Sequence, residues 1–403
     1  MSDAGSRPKG LLEGQFTLGV EEEFQIVDPE TRELRSYVSQ LLEKGGKSVL
    51  MERVRPEMHQ SMVETGTGIC QNIDQVRAEV TELRQHLDHL ARKGGLKIVA
   101  AGTHPFSDWK KQEIVNHDRY STLVNELEDV ARENLIFGLH VHVGIKSKEV
   151  AMALANQVRY FLPHILALST SSPFWLGRKT GLKSIRCEIF KRFPRTGIPD
   201  EFRSYQQFQA FAELLVKVGS IDNAKKIWWD VRVHPFFDTV EVRICDMTTK
   251  VSDTVAIAAL VQAIMGQLYI LYKRNQQWRP YSRALIEENK WRAVRYGLDA
   301  KLIDFGKEAE VPVRELLTEL LDFVDEAAQL LGTKDELRGA VARILREGTS
   351  ADRQLKVYQD SGMDPKKVVD HLIAETMFEV PPLTKDPSQP PSKTPIPQSA
   401  TAK

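Results

Sequence analysis

The segment FTLGVEEEFQIV, residues 16–27, alternates between apolar and polar residues as a β-strand does, with one exception at Glu22. Because successive side chains of a strand point to opposite faces, its apolar residues share one face and its polar residues the other. The carboxylates of Glu21 and Glu23 therefore project together from the polar face. Glu22 falls among the apolar positions, where the alternation gives no reason for a charge. The apolar set consists of Phe16, Leu18, Val20, Phe24 and Ile26.

The segment FGLHVHVGI, residues 137–145, alternates more cleanly. Every second residue is large and apolar, and the positions between them are Gly138, His140, His142 and Gly144. Both imidazoles therefore lie on one face, and the flanking glycines leave room for another group to approach the backbone.

A third segment, TVEVRICD at residues 239–246, has on its polar face Thr239, Glu241, Arg243 and Cys245. The segment IWWDVRVHP lies directly before it, at residues 227–235. Its alternate residues, which would point to one face of a strand, are Trp228, Asp230, Arg232 and His234.

Each of these patterns also has a simpler interpretation when it is taken alone. The glutamates fit a solvated sheet face, the histidines fit the surface of an amphipathic strand, and the E-V-R triplet fits ordinary cross-strand charge pairing. If the strands share one sheet, however, its polar face gathers carboxylates, imidazoles and guanidinium groups. Carboxylate oxygens suit Mg²⁺ or Mn²⁺, and arginines beside such ions can clamp phosphoryl groups. Together the strands indicate a metal and phosphate site.

The segment VRPEMHQSMVETGTG, residues 54–68, adds Glu57 and Glu64. Their odd spacing would place them on opposite faces of a regular strand. A bulge or a turn must therefore intervene if both reach the same site. The alternative for Glu57 is a surface position after Pro56.

Length and composition indicate an enzyme-sized protein that needs no disulfides. The chain has 403 residues, with 55 Lys+Arg against 55 Asp+Glu, so no global basic field favours nucleic acid as a partner. Cys70, Cys187 and Cys245 are too few and too scattered for a disulfide framework or a CxxC zinc site. We expect a reduced, cytoplasmic protein that does not bind nucleic acid.

Hydrophobic periodicity predicts long helices between the strands. Apolar residues recur at helical spacing from Val76 to Leu90, and this helix should close at Gly94–Gly95. Segments 149–170 and 251–273 are two more apolar helices. The stretch 254–272 lacks charged residues, but it contains two glutamines, and the sequence has no second stretch of this kind. We therefore expect a buried core helix and no membrane span.

The two ends of the chain differ from its interior. Residues 1–13 form a polar leader without the apolar region of a signal peptide, and we expect them to be flexible. Residues 380–403 hold seven of the 19 prolines and no aromatic residue, which predicts a disordered Pro-rich tail. Between them, residues 14–379 are expected to form a single catalytic domain that is helix-rich from about residue 310.

Several common catalytic motifs do not occur in the sequence. It contains no GxxxxGK[ST] or GxGxxG, so a Walker or Rossmann nucleotide site is not expected. It also contains no GxSxG elbow and no HExxH zinc motif.

Four motifs together resemble those of the glutamate–cysteine ligase type 2 family, also called carboxylate–amine ligases, within the glutamine synthetase-like superfamily. They are GVEEEF, RPEMHQSMVET, GLHVHVG and HPFFDTVEVRICD, in that order. The similarity covers roughly residues 14 to 380. It implies an α+β fold: a curved, mainly antiparallel sheet flanked by helices, with a funnel-shaped active site on the concave face. The C-terminal portion is helical.

The resemblance also implies roles for individual residues. His142 and Arg243 would contact the phosphates and act in catalysis. Arg186, in the loop GLKSIR, is a candidate for substrate binding, with the alternative of an ordinary solvent-facing arginine. Arg232 is a second candidate, for binding substrate or phosphate. ATP and Mg²⁺ or Mn²⁺ are the implied cofactors. The implied metal ligands are Glu21, Glu23, Glu57, Glu64, His140 and Glu241.

The implied reaction is an ATP-dependent ligation. A free carboxylate is first activated as an acyl phosphate, an amine then attacks it, and ADP and phosphate are released. The expected donor is the γ-carboxylate of L-glutamate, and L-cysteine is the leading acceptor. Two alternatives stay open: a phosphotransferase acting on a carboxylate or guanidino group, and a non-catalytic nucleotide or metal sensor. Partners would be small molecules, with no membrane, and a homodimer is expected only by analogy with the superfamily.

Overall fold

The computed structural model of the chain describes Leu12, residues 16–46 and residues 50–383. The expected leader, apart from Leu12, and the expected tail from residue 384 onward lie outside the described residues. Val380, where that tail was expected to begin, is buried, and Gln85 Nε2 donates a hydrogen bond to the Pro381 carbonyl. The domain bounds 14–379 stay a prediction.

An antiparallel sheet carries the three alternating segments. Within the described residues it has seven strands in the order β10-β11-β5-β1-β3-β2, and β4 also pairs with β1. The remaining strands form separate two-stranded sheets. The strands are β1 (Leu18–Val27), β2 (Val54–Pro56), β3 (Met62–Gly66), β4 (Lys97–Val99), β5 (Gly138–Gly144), β6 (Phe174–Trp175), β7 (Arg178–Lys179), β8 (Thr196–Gly197), β9 (Trp228–Trp229), β10 (Val231–Val233), β11 (Thr239–Asp246), β12 (Lys301–Asp304) and β13 (Ala309–Pro312).

Helices pack against the apolar face of this sheet and continue through the C-terminal portion, which confirms the expected α+β class. The helices are α1 (Val38–Gly45), α2 (Ile73–Lys93), α3 (Asp118–Leu127), α4 (Asp129–Arg132), α5 (Lys148–Val158), α6 (Leu162–Ser169), α7 (Ile185–Phe190), α8 (Tyr205–Lys217), α9 (Val251–Lys273), α10 (Arg283–Tyr296), α11 (Val313–Phe323), α12 (Asp325–Leu331), α13 (Lys334–Glu347), α14 (Ser350–Asp360) and α15 (Pro365–Thr376).

Helix α9 is the central core helix. By length and composition it is the one helix in the described part of the chain that could cross a membrane, but 89% of its most apolar stretch is buried inside the protein. This confirms the prediction of a buried core helix. The expected single helix over 149–170 is wrong, because a 3₁₀ turn at Arg159–Phe161 separates α5 from α6 and Pro163 opens the latter.

The register of the sheet brings the polar residues of neighbouring strands side by side. Glu21 on β1 lies opposite His140 on β5, and Glu23 lies opposite Glu64 on β3. On the other side of β5, Glu241 of β11 lies opposite His142. Cross-strand partners point to the same face, so these side chains form one continuous polar surface.

A β-bulge in β11 corrects one sequence prediction. Simple alternation places Cys245 on the polar face with Glu241. The register between β11 and β5 shifts after Val242, so that Cys245 lies opposite Leu139 on the core side. A bulge adds one residue to a strand and reverses the parity of the residues after it, which uniform alternation does not capture.

A buried ion pair explains the charge at Glu22. The Glu22 carboxylate points into the core, where Arg84 of α2 donates from Nη2 to Oε1 at 2.6 Å and from Nε to Oε2 at 3.1 Å. Thr254 of α9 donates to the same carboxylate at 2.7 Å. Arg84 also donates to the main-chain carbonyls of Thr249 and Thr376, at 2.6 and 3.2 Å. This network connects β1 to two helices and to the end of α15.

We predict that Arg84→Met lowers the free energy of unfolding by about 3–5 kcal/mol, because it leaves Glu22 charged, buried and without its ion pair. Urea denaturation followed by circular dichroism measures this change. Adding Glu22→Gln to the variant should recover part of the loss. The matched control, Arg274→Met, removes an exposed ion pair with Glu326 and should leave stability unchanged within error. A loss below about 1 kcal/mol in Arg84→Met would contradict the importance of this pair.

Candidate active site

The polar face has a compact centre built by three strands. Ligand atoms of Glu21, His140 and Glu241 all lie within 4.8 Å of one another. His140 Nδ1 is 3.1 Å from Glu21 Oε2, and the imidazole is buried. Among the residues that the structure describes, these three form the one group of Asp, Glu, His or Cys side chains that lie close enough together to share a metal ion.

The second histidine of β5 bridges two of these carboxylates. His142 Nε2 is 3.6 Å from Glu21 Oε1 and 4.0 Å from Glu241 Oε1. Its Nδ1 lies 3.1 Å from the Thr239 hydroxyl. Thr239 therefore orients the His142 ring that faces the carboxylates. Strand alternation places Thr239 on the polar face of β11 but does not predict this contact.

Glu23 extends the cluster along β1. Its Oε2 accepts the Gly138 N–H at 2.5 Å, and its Oε1 is 4.0 Å from His140 Nε2. A Cβ at Gly138 would collide with Arg186 Nη2 and would lie 3.1 Å from His140 Nε2. The room predicted beside the flanking glycines is therefore filled, at Gly138, by the guanidinium of Arg186.

Glu57 and Glu64 both belong to the cluster. The turn between β2 and β3 supplies the irregularity that their odd spacing required, since Glu57 follows β2 directly and Glu64 lies within β3. Burial raises the pKa of Glu64 well above its usual value, and repulsion from Glu21, Glu57 and Glu23 adds to this effect. The structure thus brings together all six residues that the resemblance implies as metal ligands.

The charges of this cluster are unevenly balanced. Burial, followed by repulsion from Glu57, raises the pKa of Glu23 to about 7. Burial would also raise the pKa of Glu21, but hydrogen bonds and positive charge from His140 and His142 hold it well below its usual value. Carboxylates packed this closely repel one another unless cations neutralise them. An oxygen-rich donor set with one imidazole fits Mg²⁺ or Mn²⁺.

Two arginines neutralise Glu241. Arg243 forms an ion pair with its Oε1, and Arg232 Nε donates to its Oε2 at 2.7 Å. Burial would raise the pKa of Glu241, but these two guanidinium groups keep it well below its usual value. Arg232 Nη1 also donates to the main-chain carbonyls of Lys225 and Ile227, at 2.9 and 2.8 Å. These contacts make Arg232 a support for Glu241.

Arg186 reaches the cluster from the side of α7. It lies in the first turn of that helix, just after the loop in which the sequence analysis placed it, and it is 4% exposed. Its guanidinium donates to the main-chain carbonyls of Ile244 and Arg243, at 3.3 and 3.4 Å. Its Nε is buried without a hydrogen-bond partner in the described structure. The guanidinium therefore keeps donor capacity for a further acceptor.

Two nearby residues escaped the sequence analysis as site residues. Burial raises the pKa of Glu57, and the positive charge of the exposed Arg119, at the start of α3, partly offsets this rise. The ring of His234 lies 5.6 Å from that of His142, edge to face. Arg119 comes from a segment without strand periodicity, so no pattern in the sequence directs it to the sheet.

Comparison with known proteins identifies the family. Residues 17–371 match the model of glutamate-cysteine ligase family 2. A relative from Sorangium cellulosum, named "Putative glutamate--cysteine ligase 2", is 70% identical over 369 residues, which cover 91% of this chain and 98% of the relative. One from Herpetosiphon aurantiacus with the same name is 54% identical over 366 residues, covering 91% and 94%.

Solved structures show the same fold at low sequence identity. A glutamate–cysteine ligase from Francisella tularensis in complex with AMP superposes with a TM-score of 0.68 at 13% identity, covering 92% of this chain and 91% of that one. A bifunctional glutathione synthetase from Pasteurella multocida gives 0.66 at 14% identity, covering 91% of this chain and 53% of that one.

The chain belongs to glutamate–cysteine ligase family 2. It is therefore a carboxylate–amine ligase of the glutamate–cysteine ligase type, an enzyme that forms C–N bonds. The α+β fold class predicted from the sequence is confirmed.

We predict that Mn²⁺ stabilises this protein through the carboxylate–imidazole cluster. A cation that binds only the folded state at 100 times its Kd adds about 2.7 kcal/mol to the free energy of unfolding. Thermal unfolding in EDTA and in excess MnCl₂ measures the shift. His140→Ala should abolish most of it, whereas the control His371→Ala, on α15, should retain it. An equal shift in both variants would place the stabilising cation elsewhere.

Proposed function

We propose that this ligase joins the γ-carboxylate of L-glutamate to an amine, with L-cysteine as the leading acceptor, and converts ATP to ADP and phosphate. The observation that carries the proposal is the polar sheet face, on which five carboxylates and the His140 imidazole meet Arg243, His142 and Arg186. The names of the relatives support glutamate and cysteine as substrates. The AMP bound to a protein of the same fold supports an adenine nucleotide.

The six metal-ligating residues would hold Mg²⁺ or Mn²⁺. They are Glu21, Glu23, Glu57, Glu64, His140 and Glu241. Bound ions of this kind neutralise phosphate oxygens and orient the phosphates toward the acceptor carboxylate. The repulsion among Glu21, Glu23, Glu57 and Glu64 supports this role, because a buried cluster of carboxylates is stable in its charged form only beside cations.

The remaining side chains act on the substrates. Arg243 and His142 stabilise the negative charge that spreads over the phosphoryl group as it passes in line to the glutamate carboxylate. An acyl phosphate results; the amine attacks its carbonyl carbon and phosphate leaves. Arg186 keeps unused donor capacity beside Gly138 and is suited to hold a substrate carboxylate. Arg232 fixes the position of Glu241.

A cytoplasmic location fits this function. The three cysteines are buried free thiols, as expected in a reducing compartment. The proposed partners are small molecules.

The direct test is an ADP-release assay with Mg²⁺, L-glutamate and a panel of amines that includes L-cysteine, with products identified by mass. We expect ADP only when glutamate and one amine are both present, because the acyl phosphate is consumed by amine attack. Release of ADP without any amine would favour a phosphotransferase. No ADP with any pair, although ATP binds, would favour a different carboxylate donor or a sensor.

We also predict that Glu241→Gln abolishes turnover and leaves the fold intact. The amide oxygen in place of Oε1 can still accept from Arg243 Nη1 and Arg232 Nη2, but the metal loses a charged ligand. Affinity for Mn²⁺, measured by titration calorimetry, should fall at least about 10-fold. The control is Glu79→Gln, which removes a half-buried carboxylate paired with Arg53 outside the site. An unfolded Glu241→Gln protein, or one with normal turnover, would refute the assignment.

A further inference from the structure

The hairpin between β10 and β11 carries an aromatic pair whose exposure the fold does not require. Phe236 and Phe237 are 61% and 58% exposed, side by side at the tip of the hairpin. Single exposed apolar residues are normal, but adjacent ones on a shaped surface indicate a contact. The two strands that this hairpin joins carry Arg232, Glu241 and Arg243. The tip therefore lies at the end of the strands that form the proposed phosphate site.

The hairpin is held rigidly in this conformation. His234 Nδ1 accepts the N–H groups of Phe236 and Phe237, at 3.2 and 2.9 Å. Lys148 of α5 donates to the carbonyls of His234 and Phe237, at 3.1 and 2.6 Å, and its Nζ lies 3.3 Å from Asp238. A binding surface that is ordered in advance loses little conformational entropy when a ligand arrives.

A row of rings connects the hairpin to the site. The ring of His142 lies 5.6 Å from that of His234, and the ring of Phe237 stacks on His234 at 4.4 Å with an interplanar angle of 9°. The row therefore runs from the proposed phosphate site to the exposed tip of the hairpin. A nucleotide that has its phosphates at His142 and Arg243 and extends along this row brings its base to Phe237.

The surroundings of the hairpin suit an aromatic ligand. A cleft of about 490 Å³ borders Pro235, and the aromatic side chains of Tyr205 and Phe208 on α8 line it together with polar and charged residues. On the tip itself, Lys225 Nζ lies 5.0 Å from the centre of the Phe236 ring, so a cation stands beside the aromatic pair.

We propose that Phe237 is the stacking platform for the adenine base of ATP, at the outer end of the His142–His234–Phe237 row. This rests on the proposed function, because it requires the phosphates to bind at His142 and Arg243. Every base has a π-face, and its stack on an aromatic side chain strengthens binding by a measurable factor. The platform acts on nucleotide affinity and not on the chemical step.

The test compares ATP with tripolyphosphate, which has the phosphates but no base. Titration calorimetry on the full-length wild-type protein and on Phe237→Ala gives both affinities. We expect Phe237→Ala to weaken ATP binding about tenfold and to leave tripolyphosphate binding unchanged. The KM for ATP should rise by the same factor at unchanged kcat. Phe237→Trp should retain affinity, and the control Phe378→Ala, which removes a ring that is 78% exposed near the end of α15, should have no effect.

Other outcomes overturn the inference. Equal loss of ATP and tripolyphosphate affinity would show general damage to the site. Unchanged ATP affinity in Phe237→Ala would show that Phe237 does not bind the base. If that variant also sedimented as a smaller species than the wild type, the aromatic pair would be a contact with a second copy of the chain. A wild-type protein that binds neither ligand would overturn the proposed function itself, and the platform with it.

Discussion

The buried pair between Glu22 and Arg84 is the constraint on which the arrangement of this protein depends. Strand β1 has proposed metal ligands on one face and the charge of Glu22 on the other. Arg84 of α2 and Thr254 of α9 compensate this charge, and Arg84 is itself held by a main-chain carbonyl at the end of α15. A buried ion with imperfect partners costs several kcal/mol, so this junction tolerates little displacement. The same strand fixes Glu21 and Glu23, one residue to either side. Any shift that damaged the core pair would also displace the proposed ligands.

The polar face divides into two parts with different charge balance. Around Glu241, two guanidinium groups exceed the local negative charge. Around Glu23, Glu57 and Glu64, the acidic groups repel one another and burial raises their pKa values. The guanidinium groups suit an anionic phosphate chain, and the carboxylates, Glu241 among them, suit divalent cations. The proposed function needs both side by side, and the antiparallel register brings them together by pairing Glu241 with His142 and Glu21 with His140.

Much of the fold and of the site could be predicted from the sequence because strand parity is a local property. Period-two alternation was sufficient to place Glu21, His140 and Glu241 on one face. It failed at Cys245, since a bulge depends on the partner strand and not on the strand's own pattern. It also gave no account of Glu22, whose partner Arg84 lies 62 positions away on a helix. Arg119 became visible only through tertiary packing, as did the contact of Thr239 with His142. The assignment of roles came from the resemblance, since spacing alone left simpler interpretations open.

The two arginines on Glu241 are not equivalent, and the difference bears on their roles. Arg232 donates to Glu241 and to two main-chain carbonyls, so its guanidinium is held on several sides by the protein itself. Arg243 is paired with Glu241, and its Nε is buried without a partner among the described residues. An unfilled buried donor is costly and is tolerated where a ligand completes it. Because Arg232 already fixes Glu241, a negative ligand can draw on Arg243 without leaving that carboxylate uncompensated. Under the proposed function, Arg232 therefore holds Glu241 in place, and Arg243 keeps a donor for a phosphate.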